Sequence, residues 1–224
     1  MADPPIRDTL VYSQVWAVGR VGVKALSEQA RTSNSRPYKM QRRAEQVDET
    51  RQRIVDAAVQ LHGTIGPAAT TIAGIAEAAG VTRLTVYRHF SDDAALFEAC
   101  SSDWLARQRP PDPTRWASIA DPQERLRTGL RDIYRFYRAG ADMLFHINRD
   151  IESIPANRRE FLRNRDRQLA DLLAAPVAGP TARRRRRRAV IAHAVSFWTW
   201  WSLCHEGGLS DSEAIDVLSA AVFS

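Results

Sequence analysis

Between Thr70 and Phe90 two short stretches of helical periodicity meet at one glycine, and no other part of the chain restricts the fold as tightly. Thr70-Thr71 offers a hydroxyl cap to a helix whose apolar positions are Ile72, Ile75, Ala76 and Ala79. Gly80 stops that helix, because a left-handed turn residue carries no steric penalty in glycine. Val81 reads as a buried plug and Thr82 as a new cap. Arg83 to Phe90 is then a second short helix, with Val86 and Phe90, four apart, facing inward. The small side chains of Ala76 and Ala79 let the two helices cross closely. The unit is a candidate helix-turn-helix whose second helix offers Arg83, Thr85, Tyr87, Arg88 and His89 to the outside. An arginine fork suits guanine or phosphate, and hydroxyls suit phosphate oxygens. An ordinary helical hairpin with solvated arginines has the same periodicity.

The rest of the chain repeats the helical period, and no run of alternating β-branched residues stands between turn clusters. The predicted class is all-α, with about nine helices. One starts at a capping Asp48, carries Ile54, Ala58 and Leu61 on one face, and ends at Gly63, Gly66 and Pro67. After the helix-turn-helix, Ser91 caps a helix through Leu96, Phe97 and Trp104 to Arg109, and Pro110, Pro111 and Pro113 break the pattern. Pro122 opens a helix with Leu126, Leu130, Ile133, Tyr134 and Tyr137 on a single stripe. Four more span about 142–152, 158–174, 181–206 and 210–223. Ahead of them all, residues 1–44 read as a flexible extension, within which Val11, Val15 and Val18 allow a short amphipathic helix.

Charge narrows the reading less than it first suggests. The net +6 vanishes once the run Arg183 to Arg188 is set aside, so the basicity is one local patch. Residues 41–100 hold six arginines against eight acidic residues. The run reads as a solvated entry into the helix that follows, with non-specific nucleic-acid attachment as the sharper alternative. Ala189 to Cys204, directly after it, is shorter than the ~20 residues of a spanning helix and contains His193, Ser196, Thr199 and Ser202, so no membrane partner is expected. Asp3 and Asp8 ahead of the first apolar stretch exclude a signal-peptide reading, and two cysteines make no disulfide framework, which leaves the cytoplasm as the expected compartment. No metal or cofactor motif stands out: there is no HExxH, no glycine-rich phosphate loop and no cysteine pair at metal spacing. Cys204 and His205 are adjacent, about 100° apart on a helix, which argues against a nucleophile pair. An enzyme is not expected.

The string from Thr70 to Phe90 closely resembles the DNA-binding signature of the tetracycline-repressor (TetR) family, and residues 49 to about 100 resemble that family's N-terminal domain. Ser196 to Leu203 followed by Gly208-Leu209-Ser210 looks like the family's penultimate helix and the turn before its dimerising last helix. The resemblance implies a homodimeric regulator, usually a repressor, that holds a pseudo-palindromic double-stranded DNA operator and is released by a small molecule. An effector-independent architectural protein or an activator is the alternative. Residues 45–92 would then be the DNA-binding domain and 93–224 a helical ligand-binding and dimerisation domain. In the recognition helix Thr85 and Tyr87 would face phosphate, with Arg83, Leu84 and His89 near bases and Arg88 beside them. Thr71 would meet phosphate at the start of the preceding helix. Arg42 and Arg43 would lie in a flexible arm able to enter the minor groove. Four positions depart from the family pattern: Ala73 lacks a polar contact group, Gly74 replaces an acidic residue, Asp93 stands in place of a phosphate-facing lysine, and His62 replaces a core aromatic ring.

The C-terminal part is rich in rings. Trp104, Tyr134, Tyr137, Phe145, Phe161, Trp198 and Trp201, with His146 as a polar orienting group, are the expected lining of a cavity for an apolar or aromatic effector; a plain aromatic core uses the same residues. The stretch from Ala189 to Glu206 is apolar nearly all round and should be buried on every side. Phe197 and Trp200, with Ile215, Leu218 and Val222 of the last helix, are therefore the expected two-fold interface.

Overall fold

From Lys39 to Gln46 every residue is a good helix former, and Pro37 stands in a first turn, where its missing N–H does no harm. Accordingly α1 runs from Ser35 to Thr64, and the boundary expected at residue 44 falls inside it. The computed structural model describes residues 35–177 and 179–223, so the expectations for residues 1–34 lie outside the described residues. Gly66 ends α1 in a left-handed turn at φ 90°, where its N–H and that of Ile65 both donate to the Leu61 carbonyl.

Helices α2 (Ile72–Ala78) and α3 (Arg83–His89) follow, each with a threonine cap. Thr71 Oγ1 accepts from Gly74 N at 3.0 Å, and Thr82 Oγ1 accepts from Thr85 N at 3.1 Å. Gly80 sits at φ 65°, and Val81 N donates to Ala76 O at 2.9 Å, closing the turn. Helix α4 (Asp93–Ala106) is capped by Asp92 rather than Ser91: the Asp92 carboxylate accepts from Ala95 N at 2.7 Å, and a negative charge there also meets the helix dipole. Ile54, Ala58, Ile75, Ala76, Val86, Phe90, Leu96 and Cys100 close over one another as a small core. Two further residues of α4, Trp104 and Leu105, pack on a second and larger core, so this helix serves both.

The larger core is built by α5 (Pro113–Ala117), α6 (Pro122–Ala139), α7 (Ala141–Arg149), α8 (Ala156–Ala174), α9 (Thr181–Ala194), α10 (Phe197–Trp200) and α11 (Asp211–Phe223). A 3₁₀ turn at Ile151–Ser153 precedes α8, and a π-helical turn over Trp201–Glu206 extends α10. The class is all-α, eleven helices and no strand among the described residues. The α6 stripe of Leu126, Leu130, Ile133, Tyr134 and Tyr137 is wholly buried. Arg125, also buried, donates to the carbonyls of Ala117, Ile119 and Leu172, which ties α5 and α8 to α6. One helix was expected over 181–206, but the chain breaks at Val195-Ser196. The carbonyls that a continuing helix would occupy are taken by side chains instead: Tyr134 OH donates to Ala194 O, Tyr137 OH to Val195 O and Thr199 Oγ1 to His193 O.

Candidate nucleic-acid interface and adjoining cavity

Helix α3 is held from behind. Val86 is 1% exposed and Phe90 4%, while Arg51 from α1 lies 4.7 Å over the Phe90 ring. Arg53 Nη1 donates to the Ala79 carbonyl at 3.3 Å and so fastens the turn to α1. With its inner edge fixed, α3 presents Arg83, Leu84, Tyr87 and Arg88 to the outside, with Thr85 and His89 half-buried. Leu84 is 70% exposed and Tyr87 51%; both large apolar groups stand on one seven-residue helix, which is what a surface awaiting a partner looks like. Thr85 Oγ1 lies 2.9 Å from Thr82 Oγ1, so its hydroxyl is pre-oriented. Burial first, and then the charges of Arg88 and Arg51, hold the His89 imidazole below its ordinary range, which leaves it neutral at pH 7. Thr71 is exposed at the start of α2, and Asp93 is exposed in the first turn of α4. Arg42 and Arg43 are exposed too, but on α1 and not in a flexible arm: the unbroken run of helix formers carries the helix past them.

Behind this surface lies a cavity of about 60 Å³ bounded by α1, α4, α6, α7 and α8. Of the eight residues expected to line a pocket, Trp104 and Phe161 do so. Tyr134 and Tyr137 do not, because their hydroxyls cap the end of α9, and burial pushes both phenols far above their usual range. Phe145, Trp198 and Trp201 form a separate stack: Phe145 and Trp201 lie 4.6 Å apart, and His205 closes the stack at 3.7 Å from Trp201. His146 is turned onto its own helix, its Nδ1 2.8 Å from the Asp142 carbonyl. The other walls include His62, Phe97, Cys100, Phe136, Met143, Leu144, Arg158, Leu162 and Arg165, none of them among the expected eight. A signal for part of this wall was present. Arg158, Phe161, Leu162 and Arg165 stand at i, i+3, i+4 and i+7, one stripe of a helix. Burial pulls the His62 imidazole down to about 4 and pushes the Cys100 thiol up to about 12, so both are neutral at pH 7.

One connection ties the cavity wall to the turn that leads into α2. At the end of α7, Arg149 Nη2 donates to the Ile65 carbonyl at 2.9 Å, and Asp150 Oδ2 accepts from Ala68 N at 3.1 Å. The two side chains pair with each other, and this pair holds the Asp150 carboxyl below the usual range. A side chain on Gly66 would begin 2.3 Å from both of them.

The residues expected at a two-fold interface are not at the surface. Phe197, Trp200, Ile215, Leu218 and Val222 are between 1% and 7% exposed in the single chain. Trp200 donates through Nε1 to Asp211 Oδ1 at 3.1 Å, and Phe197 meets Tyr137 edge to face at 5.4 Å. The break at Ser196 turns these rings inward, and the apolar groups left outside are Trp198 at 43% and Val217 at 56%. The six arginines from Arg183 to Arg188 lie on α9, where Arg188 pairs with Asp171 and Arg187 lies over Phe223. Among the described residues no helix is long and apolar enough to cross a membrane, and no group of histidine, cysteine and carboxylate side chains is placed to hold a metal ion.

Residues 54–100 match the family described as bacterial regulatory proteins, tetR family. Over 53 residues the chain is 46% identical to the HTH-type transcriptional regulator AcrR of Shigella flexneri, which is 24% of this chain and 25% of that protein. Over 60 residues it is 45% identical to the HTH-type transcriptional regulator TtgR of Pseudomonas putida, 27% of this chain and 29% of that one. The chain thus spans under a third of the length of these curated relatives. Beyond that segment the likeness is one of fold. A Clostridium perfringens protein described as a fatty acid metabolism regulator superposes with a TM-score of 0.50 at 16% identity, over 76% of this chain and 96% of that one.

Proposed function

We infer that residues 54–100, which match the tetR family of bacterial regulatory proteins, form a DNA-binding domain, and that the whole chain is a cytoplasmic transcriptional regulator, a homodimeric repressor released from its operator by a small molecule. The observation that carries the reading is the outward face of α3: Arg83, Leu84, Tyr87 and Arg88 exposed together on a helix whose Val86 and Phe90 are locked into a core. Such a helix fits the major groove, where arginine reads guanine and a leucine edge meets a thymine methyl group. Arg42 and Arg43, on the exposed start of α1, add phosphate contacts. The cavity behind α1 and α4 is the effector site in this reading, and the Arg149–Asp150 clasp on residues 65–68 carries its state to α2 and α3.

A single recognition helix makes few base contacts, so two copies on two half-sites are needed for tight discrimination. The outward positions of the last helices, Trp198 and Val217 with the small Ala220 and Ala221, supply the two-fold face. Footprinting on the DNA that flanks the chain's own gene tests the reading. Protection should be lost with Arg83→Ala and with Tyr87→Ala in folded protein, and affinity should fall steeply with salt. Footprints that both variants leave unchanged would refute it.

A further inference from the structure

We propose that the cavity between α1, α4, α6, α7 and α8 takes an organic acid, one carboxylate on an apolar body, with Arg158 receiving the carboxylate. The proposal rests on reading that cavity as the effector site and adds the chemical class of what enters it.

The cavity wall carries two guanidinium groups and no carboxylate. Arg158 is 8% exposed, and among the described residues its side chain makes no hydrogen bond. Its one counter-charge is Glu98, at 3.6 Å, beyond hydrogen-bonding distance, on a side chain that is 46% exposed and stands outside the cavity. Its ring partner is Phe161, 4.6 Å below the guanidinium. Its N–H donors thus have no hydrogen-bond partner among the described residues, and a planar carboxylate satisfies them two at a time. Arg165, one helical stripe further on, is already bonded to Asp166 through Nε and Nη2, at 2.9 and 2.7 Å, and adds positive potential rather than a vacant fork. Burial draws the Arg158 guanidinium below its ordinary range, with Glu98 opposing, as a cation short of counter-charge should behave. His62 and Cys100 are neutral and do not compete for the anion. All other large lining groups are apolar, so the remainder of the ligand must be hydrocarbon, aliphatic or aromatic.

Size decides what binding must do. About 60 Å³ is well below the roughly 150 Å³ that holds a benzene in a dry protein cavity, so an acid enters only if the walls move. Met143, unbranched, and His62, which touches Cys100 Sγ at 3.5 Å and Phe97 at 5.3 Å between ring centres, are the walls best able to yield. His62 is also four residues ahead of the Gly66 turn, so its displacement acts on the segment leading to α2.

Titration calorimetry on the full chain tests this with two matched series: octanoate, octan-1-ol, octylamine and octyl phosphate, and 4-phenylbutanoate with 4-phenylbutan-1-ol. In at least one series the acid should bind about tenfold or more tighter than its alcohol, and the amine not at all. Arg158→Gln should remove that preference. Glu98→Gln, a change at an accessible side chain, should tighten acid binding severalfold and leave the alcohol unaffected; this arm decides the matter if Arg158→Gln does not fold. Equal binding of acid and alcohol, tighter binding of octyl phosphate, no acid binding in either series, or an acid preference intact in Arg158→Gln would each overturn the proposal. Release of the protein from DNA is followed in parallel. An acid that binds without releasing DNA refutes the effector reading and leaves the acid site standing, whereas release by an alcohol alone does the reverse.

Discussion

At His62 a buried imidazole stands where the resemblance leads one to expect an aromatic ring, and its burial fixes a dependence on pH. The folded chain holds it neutral down to about 4, whereas the unfolded chain protonates it near 6.5. Between those values the unfolded state binds more protons, so stability is full above pH 6.5 and falls as the solution is acidified towards 4. The loss amounts to roughly 3 kcal/mol over the window. Denaturant titrations at a series of pH values should show that slope in the wild type and a flatter one in His62→Phe; parallel curves would mean the imidazole is not buried neutral. Gly74 gives a simpler test. It has no positive φ, and a methyl group there would stand 3.5 Å from Thr71 Oγ1, an ordinary contact. Gly74→Ala should therefore raise the denaturation midpoint, by about 0.5–1 kcal/mol in stability. That His62 takes a core position was legible from the resemblance, in which it replaces an aromatic ring. That it lines a cavity was not, since its neighbours Arg158 and Leu162 are about a hundred residues away in sequence.

Elements were legible where sequence alone decides them. The threonine caps, the glycine turn and the α6 stripe depend on residues within a few positions of one another, and each is found as the spacing implies. The long start of α1 was hidden because Asp48 offers a plausible cap that a continuous run of helix formers overrides. The break at Ser196 was hidden for a different reason: it depends on hydroxyls of Tyr134 and Tyr137 brought in from α6. The clasp between α7 and the Gly66 turn is equally non-local, bridging residues 65–68 to 149–150. Gly66→Ala faces both a left-handed φ and two polar atoms at 2.3 Å, and should cost about 1–3 kcal/mol. Gly63→Ala, whose added methyl meets only the flexible end of Met143 at 3.4 Å, is the control expected to be neutral or stabilising. Thermal melts of the two variants decide; equal melting would mean that the turn is not clamped.

For the whole molecule the distinction between what faces inward and what faces a partner is the one that sequence served least well. Large rings on a helix look alike whether they seal a core or a two-fold contact, and Phe197 and Trp200 seal the core. Trp200→Glu should consequently unfold the subunit, because it strands a charge among Tyr137, Phe197 and Asp211. Trp198→Glu and Val217→Arg, at exposed positions, should leave the circular dichroism unchanged while sedimentation moves from dimer to monomer. Dimers of unaltered stability in both variants would place the two-fold elsewhere.

Whether α3 reads DNA in a two-fold arrangement is settled by selection from random duplex DNA with the full chain. The expected result is an enriched pseudo-palindrome with half-sites about one helical turn, or a multiple of it, apart. Affinity for it should fall by about 1–3 kcal/mol in Arg83→Ala, with preference relaxed at the contacted base pair. Failure to enrich any sequence, or a selected site that Arg83→Ala and Tyr87→Ala bind as tightly as the wild type, would contradict it.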